Sequence, residues 1–184
     1  MKPIKPWFSI DGAPGHSLEQ QLTGLDRLLA TVPGKSVLDC GCAEGLISIE
    51  MARRGARNVF GVELLPSFAS EAKRQAAGES SVLFRQADLN VWRPDEGSQV
   101  AIITALAVLQ KLRDPCAVAS WMADVAQEMI VIRTPMRPYP WVLPPERQRT
   151  VPHDIGAVLR GRGWRLSEQT VGAFGDAVGY WEKS

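Results

Sequence analysis

The stretch Val37-Leu38-Asp39-Cys40-Gly41-Cys42-Ala43-Glu44-Gly45-Leu46-Ile47-Ser48 constrains this chain more than any other. An apolar run ends on an acid, breaks into glycines and passes into a helical pattern, which reads as strand, tight turn, helix. In an α/β sheet such a junction lies at the carboxyl end of a strand. Ligands bind there, and the helix N-terminus offers unpaired N–H groups. Gly41 and Gly45 let the backbone pass close to a ligand with no Cβ in the way, while Asp39 puts a carboxylate at the end of the strand.

The acid restricts the ligand. A dinucleotide turn follows G-x-G-x-x-G, but the corresponding residues here are Gly41, Ala43 and Leu46, and a carboxylate beside the turn repels a pyrophosphate. A ligand that is cationic near an amino-acid end and carries a ribose without a phosphate tolerates it. S-adenosylmethionine is such a ligand. Val37 to Gly45 resembles motif I of the class I (Rossmann-like) S-adenosylmethionine-dependent methyltransferases, with Ala43 in place of the middle glycine.

Two further strand-end acids extend the resemblance. Asn58 to Glu63 is a buried-type strand ending in an acid 18 residues after Gly45, near the spacing at which a carboxylate meets ribose hydroxyls. Its plain structural alternative is a cap on the next turn. Val82 to Leu89 runs into Asp88, and the resemblance implies that Asp88 accepts from the adenine amino group while the Leu89 N–H contacts the ring. The cofactor set implied is Asp39, Gly41, Cys42, Ala43, Gly45, Glu63, Leu64, Asp88, Leu89 and Thr104, with Asp39 at the amino-acid end. The transferred methyl is expected near Thr104 to Ala107, and Gln110 stands where relatives often carry His. No Asn-Pro-Pro-Tyr or Asp-Pro-Pro-Tyr run occurs, which argues against amino methylation of a base or glutamine.

The expected fold is α/β, a seven-stranded Rossmann-like sheet, mostly parallel with the last strand antiparallel, flanked by helices. A capping-box pattern at Ser17 and leucines at helical spacing predict one helix over Ser17–Thr31. Further helices are expected over Leu46–Arg54, Leu65–Ala77, about Asp114–Gln127 and Pro152–Arg160. Strands are expected at Ser36–Cys40, Val100–Thr104, Met129–Arg133, Trp164–Val171 and Ala177–Lys183. With 184 residues and 45% hydrophobic content, one domain over 1–184 is expected. Residues 1–15 read as an extended arm whose Trp7 and Phe8 either pack on the body or close a lid over the cofactor.

The net charge of +1 marks neither a nucleic-acid nor a membrane binder, and no apolar run reaches the ~18 residues of a membrane helix, so a cytoplasmic protein is expected. Cys40 and Cys42 suit reduced, buried thiols, and with two histidines in the chain zinc is not expected. Residues 134–152 hold six prolines with Arg137, Tyr139, Trp141, Arg147 and Arg149, and read as an acceptor-binding segment or as a surface insertion. Arg133 could bind an anionic acceptor or pair with a carboxylate such as Asp114; Tyr139 and Trp141 could border the acceptor. His153 is the candidate base, although a capping or surface role suits it better. Three readings stand: methyl transfer to a small molecule or exposed O/N acceptor, methyl transfer to RNA or protein through the loop arginines, and a non-catalytic module that binds a partner protein.

Overall fold

The fold was taken from a computed structural model, which describes residues 7–12, 15–134 and 154–184. Its sheet has seven strands in the order β3-β2-β1-β4-β5-β7-β6: β1 Ser36–Cys40, β2 Asn58–Glu63, β3 Val82–Gln86, β4 Val100–Leu106, β5 Ala126–Thr134, β6 Trp164–Val171 and β7 Ala177–Lys183. The first five pair in parallel, and β7 runs antiparallel to both β5 and β6. This is the expected Rossmann-like sheet. The order reverses between β1 and β4, so a crevice opens outside their carboxyl ends.

Alternation along the central strands builds a core on each face. Leu38, Val62, Ile103 and Ile130 lie on one side with α5 (Pro115–Val125) and the helix over 154–161, α6. Val37, Val59, Ile102 and Val131 lie on the other with α2 (Asp26–Thr31) and α3 (Leu46–Arg53). Between β2 and β3 runs α4, Pro66–Gln75, which starts on the proline that favours a first helical turn.

The helix expected over Ser17–Thr31 is two helices. Its start is as the pattern predicts: Gln20 N donates to Ser17 Oγ and Ser17 N donates to Gln20 Oε1. Yet α1 spans only Leu18–Leu22, and α2 begins at Asp26. Tertiary bonds interrupt it at Gly24, whose carbonyl accepts from Thr170 Oγ1 at 2.9 Å and Tyr180 Oη at 2.7 Å. Partners from β6 and β7, distant in sequence, thus override a locally helical pattern. Similarly, β3 stops at Gln86, and Asp88 and Leu89 lie in the loop beyond it.

Candidate functional site

The turn after β1 is held by bonds across the strand ends. Gly41 N and Cys42 N both donate to the Val62 carbonyl, at 2.8 and 3.1 Å, and Gly45 N donates back to Cys42 O. Gly41 sits at φ 80, and a Cβ there would lie 2.7 Å from Val108 Cγ2, so the turn and the segment after β4 approach as closely as glycine permits. Ala43 takes φ 49 and Ala107 φ 59. Both alanines line the same cleft, and left-handed backbone at a non-glycine residue costs energy that accumulates at ligand sites.

That cleft, of about 230 Å³, opens at the carboxyl ends of β1, β2, β3 and β4. Among its walls are six residues of the expected cofactor set: Gly41, Ala43, Glu63, Leu64, Asp88 and Leu89. Glu63 is oriented by two N–H groups, from Ala43 to Oε2 at 3.0 Å and from Leu65 to Oε1 at 2.9 Å. Asp88 Oδ1 takes the backbone and side-chain N–H of Asn90, at 2.9 and 2.7 Å. The backbone bond from Asn90 holds its carboxyl below the usual range, and Oδ2 accepts no hydrogen bond among the described residues.

Asp39 and Thr104 are placed differently from expectation. Asp39 is 2% exposed and does not line the cleft: Ser48 Oγ donates to Oδ2 at 2.5 Å and Thr104 Oγ1 donates to Oδ1 at 2.7 Å. The carboxylate ties β1 to α3 and β4 inside the core, and burial raises its pKa. Cys42 and Gly45 likewise support the turn from behind without forming the wall; burial pushes the Cys42 thiol up.

Arg133 also turns away from the cleft. It is 3% exposed, and its guanidinium donates to Gln21 Oε1 at 2.9 Å and to the carbonyls of Gln21 and Thr23 at 2.6 and 3.3 Å. It closes the unpaired carbonyl end of α1. Asp114 caps α5 through Ala117 N. Tyr139, Trp141, His153 and the loop arginines lie outside the described residues.

Sequence reasoning missed the two polar wall residues Lys111 and Asn90, along with several apolar ones, and left Trp7 with two roles. The arm packs on the body and also reaches the cleft. Phe8 is 1% exposed within the core on the α2 and α3 side, while Trp7 forms part of the cleft wall. Glu44 anchors the arm, accepting from Trp7 N at 2.7 Å; its other oxygen is buried without a hydrogen-bond partner among the described residues. His16 packs edge-on to Trp7 and against Phe174 of the β6–β7 turn. Gln110 is buried and donates to Ala107 O at 2.8 Å, so the residue that faces the cleft there is its neighbour Lys111. The signal was one of phase: the 3₁₀ turn Leu109–Lys111 after β4 decides which of the two side chains points outward.

The crevice, the paired strand-end acids and the turn fit a ligand with a ribose and an adenine. A family model described as a methyltransferase domain matches residues 37–128, half of the chain and the half that carries these features. The chain belongs to this methyltransferase family. The family's cofactor is S-adenosylmethionine. Among curated proteins, a ubiquinone biosynthesis O-methyltransferase of Hahella chejuensis is 33% identical over 99 residues, covering 53% of this chain and 41% of that protein. An Acinetobacter baylyi protein of the same name is 28% identical over 108 residues, covering 57% of this chain and 45% of that protein. The chain thus spans about half the length of the curated relatives it matches. Among solved structures, magnesium protoporphyrin IX methyltransferase of Synechocystis PCC 6803 with bound S-adenosylhomocysteine superposes with a TM-score of 0.70 at 19% identity, over 90% of this chain and 84% of that one. At that identity the likeness shows the fold alone.

Proposed function

We propose that the chain binds S-adenosylmethionine in the cleft and transfers its methyl group to an oxygen of a small acceptor, a phenol or similar hydroxyl compound. The observation that supports this most is the convergence of Glu63 and Asp88 on one cleft beside the Gly41–Ala43 turn, with Asp88 Oδ2 accepting no hydrogen bond among the described residues. Glu63, fixed by two N–H donors, keeps lone pairs for ribose hydroxyls; Asp88 offers an acceptor to the adenine amino group, with the Leu89 N–H beside it. The choice of oxygen rests on the names of the curated relatives.

When bound, the cofactor supplies an electrophilic methyl on a sulfonium. The chain's own work is to hold and to exclude water. Gly41 and Ala43 line the cleft from the turn after β1, Leu106 to Val108 from the end of β4, and Trp7 from the N-terminal arm. An acceptor hydroxyl must lose a proton, and His153 is the proposed base, with Tyr139 and Trp141 bordering the acceptor. Calorimetry with S-adenosylmethionine and S-adenosylhomocysteine, followed by transfer of a labelled methyl to a panel of phenols, carboxylic acids and amines, tests the reading. Micromolar binding and label in a phenol ether are expected; the absence of binding by either ligand would overturn it.

A further inference from the structure

We propose that Lys111 binds the carboxylate at the amino-acid end of the donor, with the Trp7 ring as the platform for its ammonium. This rests on the cleft being an S-adenosylmethionine site. Lys111 is the one basic side chain among the described residues that line the cleft, and its Nζ lies 4.9 Å from the centre of the Trp7 ring. It makes no ion pair among the described residues. The cleft's two acids are each committed to backbone N–H donors, and Arg133 is engaged at the end of α1.

A donor entering this cleft brings a carboxylate out of water, and such a charge is stable only when paired. The aromatic face leaves the ammonium's charge available while holding its position. Lys111 and Glu63 line the same cleft, so a donor whose ribose meets Glu63 lies within the space the ammonium borders. Trp7 itself is fixed by Glu44 on the β1 turn. The arm thus links the turn that meets the donor to the lysine that reads its charged end, and Asp39, first expected at that end, is sealed in the core.

The test compares wild type, Lys111→Met and Lys111→Arg by calorimetry with two ligands. S-adenosylhomocysteine carries the amino-acid end; 5′-methylthioadenosine lacks it. Lys111→Met is expected to weaken S-adenosylhomocysteine about tenfold or more, the scale of one charge-assisted contact, and to leave 5′-methylthioadenosine unchanged. Lys111→Arg recovers most of the affinity. Because Lys111 is exposed on a short turn, these variants keep the fold. Unchanged S-adenosylhomocysteine affinity in Lys111→Met, or an equal loss of both ligands, overturns the proposal alone. Wild-type protein that binds neither ligand overturns the cofactor reading and the proposal with it.

Discussion

At the scale of single residues, Asp39 shows how a motif acid can be enclosed by hydroxyls of the core. Its acid type was legible in the sequence; its seclusion was not, because the two hydroxyls that occupy it come from Ser48 and from Thr104, which is 65 residues away. Burial raises the folded-state pKa above 3.8, the ordinary value. The folded state therefore keeps a proton over a window in which the unfolded chain has lost it, and this group's contribution to stability falls as pH rises through that window. Asp39→Asn retains a carbonyl for the Thr104 hydroxyl and has no such slope. Denaturant midpoints across the acid range should show the Asp39→Asn variant gaining on wild type as pH rises; parallel profiles would refute the assignment. Ala43 offers a second residue-scale check. At φ 49 an alanine holds a conformation that costs about 1–2 kcal/mol and that glycine adopts freely, so once the entropy glycine adds to the unfolded chain is taken off, Ala43→Gly should raise unfolding stability by about 0.5–1 kcal/mol. Urea denaturation measures the balance, and a clear loss would mean that the Ala43 methyl packs usefully against the turn.

At the scale of elements, the seven strands and most helices were legible because hydrophobic period and capping residues are local signals. The failures share a cause. Gly24 breaks the first helix because strand residues claim its carbonyl, and Arg133 leaves the cleft because the end of α1 offers it unpaired carbonyls. Neither partner can be inferred from neighbouring residues. The arm is the same kind of case: its prolines predicted an extended segment, but the partner that fixes it, Glu44, sits on the far turn. Glu44→Ala removes that acceptor and leaves the Trp7 N–H unpaired, while Phe8 remains buried. A lost bond of about 1.4 kcal/mol corresponds to a tenfold larger open population. Limited proteolysis near Trp7 should therefore run about tenfold faster in Glu44→Ala. Glu44→Gln, which still offers an oxygen, should stay near wild type. Equal cleavage in all three would show that Phe8 alone secures the arm.

At the scale of the whole molecule, fold and chemistry are separable. A sheet of this order does not by itself dictate the reaction, which depends on the side chains gathered at its carboxyl ends. What can be tested on the intact chain is whether the cleft is coupled to global stability. Ligand at one hundred times its dissociation constant stabilises the folded state by about 2.7 kcal/mol. For a chain of this size each kcal/mol moves the melting midpoint by roughly 2–4 °C, so saturating S-adenosylhomocysteine should raise it by about 5–10 °C. Asp88→Asn keeps an oxygen for Asn90 but turns a donor toward the adenine amino group, in place of the Oδ2 that accepts no hydrogen bond among the described residues. Losing that contact should weaken binding about tenfold. At the same ligand concentration the variant should then show about half the wild-type shift, with an unchanged melting midpoint when no ligand is added. An undiminished shift in Asp88→Asn would place the adenine elsewhere in the cleft.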